Sequence, residues 1–187
     1  SAYSAVSHGH CHPRLVKVLQ QQAQTLGVIS RAFHSDKLAP FLQKICELTN
    51  QDKALPMNTG AEAVETALKA ARKWAYTVKA VPQDQAEIIV SDGNFHGRTI
   101  AIVGMSSEPR YKENFGPYPA GTRIIEYGNA QALEKAINKN TAAFLVEPMQ
   151  GEGGIRIPPH GFLKQAAEIC RANNVLLIAD VALFYFR

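Results

Sequence analysis

The chain has 187 residues, enough to bury one sizeable hydrophobic core. Its hydrophobic content of 46% and charged content of 19% are typical of a soluble globular protein. The formal net charge is only +4, and lysines and arginines form no run. We therefore expect no nucleic-acid binding. No stretch approaches ~18 consecutive apolar residues, so we also expect no membrane span.

The cysteines indicate the compartment. Cys11, Cys46 and Cys170 are odd in number and widely separated, which is typical of free thiols in a reducing compartment. We therefore expect a cytoplasmic protein. No signal-peptide pattern is present. The chain opens at Ser1 without a methionine, from which we expect an upstream part to be missing.

Helical and strand patterns alternate, which favours an α/β fold with a mainly parallel sheet. Apolar spacing and boundary residues predict helices at 13–26, 35–49, 60–78, 98–105, 130–137 and 161–172. The 98–105 run is ambiguous, whereas 60–78 is the clearest helix. Short apolar runs predict strands at 53–57, 87–90, 123–127, 142–146 and 175–179. Residues 106–122 form a long connection that contains several prolines and glycines, and a loop of this length in a compact domain is typically functional or mobile.

A phosphate site is indicated where Thr59, Gly60 and Ala61 join a predicted strand to the clearest helix. A helix N-terminus leaves backbone N–H groups unpaired and carries the positive end of the helix dipole. Glycine also lets the backbone approach a phosphate closely. An ordinary capped turn has the same pattern, so this segment alone leaves both interpretations open.

Aromatic and cationic side chains follow the predicted strand at 87–90. Ligands of α/β sheets bind outside the carboxyl ends of the strands. Phe95 can stack there on a cofactor ring, and Arg98 can bind a carboxylate through two parallel hydrogen bonds. A core phenylalanine and a surface arginine are the alternative. We expect His96 to pack or hydrogen-bond rather than to act as a base.

Acidic residues follow two further apolar strands. Asp180 ends the run 175–179, where a carboxylate is costly unless it is paired. A protonated pyridine nitrogen is one suitable partner, because the ion pair keeps the ring an effective electron sink. A helix cap or a structural salt bridge is the alternative. In the glycine-rich segment 147–154, Glu152 can pair with an arginine or a substrate amine, or lie in a solvated loop.

A metal site is the hypothesis raised by His8, His10, Cys11 and His12, since histidine and cysteine are common zinc ligands. No second cluster of such residues is evident in the sequence to complete the site. Strand alternation would also direct neighbouring side chains to opposite faces. We therefore expect no metal.

Together, the segments around Gly60, Phe95, Glu152 and Asp180 resemble those of the class III aminotransferases, which depend on pyridoxal phosphate (PLP). The resemblance covers residues 1–180 and is closest to the members that use ornithine. It rests on residues 3–6, 9–13, 30–33, 55–60, 95–99 and 147–152. The last two segments also resemble the members that use acetylornithine or 4-aminobutyrate.

The resemblance implies a fold and a reaction. The fold is the large domain of PLP-dependent transferases, with helices on both faces of a mainly parallel sheet. Residues 1–187 would be an incomplete large domain, with 1–30 leading into it and 181–187 as a divergent tail. The reaction would move the δ-amino group of ornithine to 2-oxoglutarate, giving glutamate semialdehyde and glutamate. The family also implies a homodimer.

The resemblance assigns site residues too. Cofactor-binding roles fall to Thr59, Gly60, Ala61, Phe95, His96 and Asp180. Among these, Gly60 and Ala61 would give backbone N–H groups to the phosphate, Phe95 would stack on the ring, and Asp180 would hold the pyridine nitrogen.

Substrate-binding roles fall to three residues. Arg98 would bind the α-carboxylate, and Tyr3 would line the substrate pocket. Glu152 would neutralise a second arginine, which lies outside this chain, when the keto acid is absent.

The chain departs from the family after Asp180. The family continues with Glu, Ile and Gln, whereas Leu183 stands here where that glutamine would contact the ring hydroxyl. Every lysine of the chain precedes Asp180, whereas the family's Schiff-base lysine follows it. We therefore expect a truncated or frameshifted chain that lacks this lysine and the small C-terminal domain, and that is inactive by itself.

Two alternatives stay open at this point. One is a class III aminotransferase of the acetylornithine or 4-aminobutyrate type. The other is a non-catalytic remnant of a PLP domain, which the missing lysine favours.

Overall fold

The computed structural model describes residue 6, residues 8–30 and residues 32–181. The chain divides into two compact units, with the boundary between Pro56 and Met57. In the described part of the first unit, the regular structure consists of helices α1 and α2. The second unit contains the sheet.

Helix α1 spans Pro13–Thr25, and helix α2 spans Leu38–Thr49. Pro13 suits the first helical position because its fixed φ angle is already helical. Helix α2 begins later than the predicted start near Ser35. The Ser35 hydroxyl accepts the Lys37 N–H at 3.2 Å, which stabilises a turn before the helix.

The prediction of a strand at 53–57 is wrong. These residues have no strand pairing with any other described segment. Pro56 lacks the N–H that a strand ladder requires, so an apolar run that contains it is a poor strand.

The second unit contains helices and strands in alternation. Its elements are α3 (Gly60–Thr77), β1 (Glu87–Ser91), α4 (Ile100–Gly104), α5 (Pro109–Lys112), β2 (Thr122–Ile125), α6 (Ala130–Ala136), β3 (Thr141–Val146), α7 (Phe162–Ala172) and β4 (Leu176–Ala179). The strand order is β2-β1-β3-β4, and every pair is parallel. The predicted α/β class with a parallel sheet is therefore confirmed, with element boundaries shifted by a few residues.

Two hydrophobic cores lie on opposite faces of this sheet. Ile88 and Val90 of β1 pack with α3 and α4, whereas Ile89 packs with α6 and α7. Strand β3 alternates in the same way, with Leu145 in the first core and Phe144 in the second. Because successive strand residues point to opposite faces, both faces of these apolar strands are covered. The predicted helices on both faces are confirmed.

The connection at 106–122 is less irregular than its composition indicates. Pro109 opens the short helix α5, and the Glu108 side chain caps it by accepting the Arg110 N–H at 3.1 Å. This turn places Tyr111 beside the segment that follows β1.

None of the helices in the described ranges has the length and apolar character that a membrane span requires.

Candidate active site

The start of helix α3 has free anion-binding capacity. Thr59 is the N-cap, and its hydroxyl accepts the Glu62 N–H at 3.1 Å. The Glu62 carboxylate accepts the N–H groups of Asn58 at 2.8 Å and Thr59 at 3.1 Å, which completes a capping box. The N–H groups of Gly60 and Ala61 have no acceptor within the helix. They can donate to an anion at the positive end of the helix dipole.

The loop after β1 packs directly on this helix start. A Cβ atom on Gly97 would lie 3.3 Å from Ala61 Cβ and 3.2 Å from Ile102 Cδ1. The φ angle of Gly97 is 132°, which other residues rarely adopt. The Thr99 hydroxyl donates to Glu65 Oε1 at 2.5 Å, one turn into α3. Glycine is therefore needed at Gly97 for a close contact between the two segments.

Phe95, Arg98 and Glu152 line one cavity of about 340 Å³. The Arg98 guanidinium lies 5.3 Å from the Phe95 ring centroid, and the Tyr111 ring meets Phe95 edge-on at 6.2 Å. Arg98 is exposed and forms no salt bridge with any residue in the described part of the chain. Its guanidinium is available for the carboxylate of a ligand in this cavity.

Asp180 follows β4 directly and contacts His96. The distance between Asp180 Oδ2 and His96 Nδ1 is 2.8 Å, and the side chains are 10% and 0% exposed, respectively. In the tautomer that carries its proton on Nδ1, His96 donates this hydrogen bond to the Asp180 carboxylate. His96 Nε2 is buried and has no hydrogen-bond partner among the described residues.

Glu147 is a site residue that the sequence analysis did not select. It follows β3, is 6% exposed, and its Oε2 accepts the Phe95 N–H at 3.2 Å. Its backbone carbonyl accepts the Tyr127 hydroxyl at 3.1 Å. Burial raises the pKa of the Glu147 carboxyl to about 6, although His96 and the Phe95 N–H favour its ionised form. The signal was present, because Glu147 ends an apolar strand as Asp180 does.

Gln150 is a second residue that was not selected, and it anchors the loop that carries Glu152. Its Nε2 donates to the Asp92 carbonyl at 2.7 Å, and its backbone pairs with Arg156 through two bonds of 3.0 Å. The loop between Gln150 and Arg156 is thereby fixed against the loop that follows β1. Glu152 consequently lies at the same cavity as Arg98.

Two hypotheses from the sequence remain, the role of Tyr3 and the possible metal site. Tyr3 lies outside the described residues. Within the described ranges, no group of three or more histidine, cysteine, aspartate or glutamate side chains is placed to hold a metal ion.

The donor set defines what the site can accept. Backbone N–H groups at Gly60 and Ala61 suit a phosphate, and the Phe95 ring suits a flat aromatic ligand. The carboxylates of Asp180, which is partly buried, and of Glu147, which is buried, favour a protonated ring nitrogen nearby. A heteroaromatic ring that carries a phosphate fits these residues.

Comparison with known proteins decides the family. The model of the aminotransferase class III family matches residues 1–181. The chain belongs to the class III aminotransferases. Members of this family are PLP-dependent enzymes.

The relatives of this class III aminotransferase chain include ornithine and acetylornithine aminotransferases. The ornithine aminotransferase of Geobacillus sp. (strain WCH70) is 60% identical over 180 residues, which are 96% of this chain and 45% of that protein. The ornithine aminotransferase of Toxoplasma gondii has a TM-score of 0.93 at 47% identity, over 95% of this chain and 42% of that one. In that structure PLP partially occupies the active site. The acetylornithine aminotransferase of Elizabethkingia anophelis has a TM-score of 0.80 at 51% identity, over 96% and 44%.

The chain therefore spans less than half the length of the relatives that it matches.

Proposed function

We propose that the intact protein transfers the δ-amino group of ornithine to 2-oxoglutarate with PLP as cofactor, giving glutamate semialdehyde and glutamate. The observation that carries this proposal is the meeting of three groups at one end of the parallel sheet. These are the His96–Asp180 pair, the Phe95–Arg98 stack and the N-terminus of α3. The similarity to ornithine aminotransferases supports the choice of amino donor.

When bound, PLP supplies an electron sink conjugated with the amino carbon of the substrate. The N–H groups of Gly60 and Ala61 are proposed to donate to its phosphate. Thr59 holds these two groups in place, because its cap fixes the first turn of α3.

The ring would be held by residues after β1 and β4. Asp180 would hold a proton at the pyridine nitrogen, and its contact of 2.8 Å with His96 Nδ1 fixes the orientation of the carboxylate. Phe95 would cover one face of the ring and exclude water from it.

Substrate recognition is proposed for the cavity beside Phe95. Arg98 would bind the α-carboxylate through two parallel hydrogen bonds. Glu152 lines the same cavity and would pair with a second arginine or with the substrate amine. Tyr3 is proposed to line this pocket as well, on the family resemblance alone.

Three wider features complete the proposal. The chain would form part of a large PLP-binding domain, and the intact protein would be a homodimer, as the family resemblance implies. A cytoplasmic location is supported by the free thiols of Cys11, Cys46 and Cys170.

The second candidate is an acetylornithine aminotransferase, which the similarity to the Elizabethkingia anophelis enzyme favours. Isotope tracing distinguishes the candidates. We expect the intact protein to move ¹⁵N from δ-labelled ornithine into glutamate, and to leave the nitrogen of α-labelled ornithine in place. Faster transfer from N-acetylornithine would support the second candidate. Absence of both transfers and of PLP binding would refute both.

A further inference from the structure

Glu147 connects two loops of the proposed site. Its Oε2 accepts the Phe95 N–H at 3.2 Å, and its carboxylate also interacts with the Gly151 N–H. Phe95 stacks with Arg98, and Gly151 directly precedes Glu152. One buried carboxylate therefore contacts the loop after β1 and the loop after β3.

Packing does not account for a carboxylate at this position. Glu147 is 6% exposed, and no lysine or arginine of the described ranges forms a salt bridge with it. Burying a charge without a cationic partner is costly. A glutamine would offer an oxygen to the Phe95 N–H without that cost. What the glutamate adds is a negative charge on the acceptor, because an ionised acceptor binds N–H groups more tightly than a neutral one does.

We infer that ionised Glu147 is a positioning residue, which fixes the Phe95 backbone and thereby the ring that stacks with Arg98. The inference that Glu147 fixes the loop after β1 depends only on the contacts described above. The use of this fixed loop in holding Phe95 against a cofactor ring rests on the proposed function.

The groups around Glu147 determine the pH range in which its carboxylate is ionised and its bond to the Phe95 N–H is strong. His96 and Asp180 face it from the loops after β1 and β4. Tyr127 donates to its backbone carbonyl, and the Arg156 guanidinium lies 5.4 Å from the Tyr127 ring centroid. In this setting the pKa of Glu147 is about 6. The carboxylate is ionised at pH 8 and protonated at pH 5.

Hydrogen exchange of the intact protein tests the inference without any cofactor. Exchange of a peptide that contains Phe95 is measured by mass spectrometry from pH 5 to pH 8 and corrected for the intrinsic effect of pH. The proteins are the wild type, Glu147→Gln, Glu147→Ala and the control Glu134→Gln, which alters an exposed acid on α6.

We expect the wild type and the control to lose protection of this peptide several-fold between pH 8 and pH 5, through local openings that break the bond to Phe95 while Glu147 stays buried. Openings that expose Glu147 have the opposite pH dependence, because its pKa in the folded protein is raised to about 6. Glu147→Gln should show intermediate protection that does not depend on pH, and Glu147→Ala should show the least protection throughout. A wild type whose protection is independent of pH and unchanged in Glu147→Gln would overturn the inference. Glu147→Gln alone decides this if Glu147→Ala does not fold.

A PLP titration of the same proteins separates this inference from the proposed function. We expect Glu147→Ala to bind PLP about tenfold more weakly, which corresponds to one lost charge-assisted hydrogen bond, and Glu147→Gln, which keeps a neutral acceptor, to have an affinity between those of Glu147→Ala and the wild type. If no protein binds PLP but the exchange pattern holds, the proposed function fails and the fixing of Phe95 stands. If all bind PLP equally and exchange alike, the inference fails and the function stands.

Discussion

His96 Nδ1 lies 2.8 Å from Asp180 Oδ2, although 84 residues separate the two side chains in sequence. His96 follows β1 and Asp180 follows β4, and in the sheet β3 lies between those strands. The pair therefore spans the carboxyl end of β3, where Glu147 begins the next loop. Three loops that are distant in sequence share one small, largely buried polar cluster.

Asp180→Asn in the intact protein should weaken PLP binding roughly 10- to 100-fold. The amide keeps the size of the side chain but lacks the charge that would hold a protonated ring nitrogen, and a hydrogen bond to a charged group contributes about 1.5–3 kcal/mol. Equilibrium titration with PLP measures the change. The matched control is Asp84→Asn, an exposed aspartate with a φ angle of 63° that asparagine also adopts. Equal affinities for wild type and Asp180→Asn would contradict the assigned role.

Arg98→Lys should raise the KM for the amino-acid substrate by about tenfold or more. Lysine keeps the positive charge but cannot form the two parallel bonds of a guanidinium. Because Arg98 is exposed, the melting temperature should hardly change. Steady-state kinetics and a thermal melt check both statements, with Arg171→Lys on α7 as the control. Loss of stability with normal kinetics would show that Arg98 serves the fold instead.

Gly97→Ala should weaken PLP binding and also destabilise the protein. Alanine at a φ angle of 132° is strained by about 1–3 kcal/mol, and its Cβ would press on Ala61 at the start of α3. Gly154→Ala is the matched control, because Gly154 has a φ angle of 85° with nothing within 4 Å of the added Cβ. Both variants should lower the melting temperature, but only Gly97→Ala should lower PLP affinity. Equal affinity losses would mean that the contact with Ala61 is irrelevant.

Relative to the wild type, Glu147→Gln should have a higher free energy of unfolding at high pH than at low pH. The folded pKa of about 6 lies above the ordinary value of 4.5, so the folded state binds more protons than the unfolded state between these values. The free energy of unfolding of the wild type therefore falls as pH rises through this window, by at most about 2 kcal/mol because solvent screens part of the effect. Glutamine does not titrate and lacks this loss.

Urea unfolding of the cofactor-free proteins at pH 4.5 and pH 8 measures the effect. The free energy of unfolding of Glu147→Gln minus that of the wild type should increase from pH 4.5 to pH 8. A constant difference would indicate that Glu147 titrates normally in the folded protein.

The sequence predicted helices and strands well where the pattern of apolar residues is typical of one kind of element. The helix at 60–78 was recognisable because its apolar residues repeat with the helical period, and the strand at 87–90 because a short continuous apolar run is typical of a strand buried on both faces. The predicted strand at 53–57 failed because a short apolar run says nothing about whether a partner strand exists.

Candidate side chains were also visible, but their contacts were not. His96 and Asp180 were selected separately, and only the strand order β1-β3-β4 brings them together. The same holds for Glu147, whose acceptor role toward Phe95 depends on β3 lying next to β1. Periodicity reports which residues are buried, but neighbours across a parallel sheet are set by the crossover connections.

The strand order also determines how the sheet can assemble during synthesis. Strand β1 is made first and receives β2 on one side, β3 then pairs on its other side, and β4 pairs with β3 last. Parallel neighbours cannot come from a hairpin, so each pairing must wait for a whole crossover to leave the ribosome. Until β4 arrives, β3 presents an open apolar edge beside the unfinished polar cluster, and that edge is where a nascent chain would pair with another copy. Binding of a chaperone to nascent chains that end between β3 and β4 is the expected cellular sign of this exposed edge.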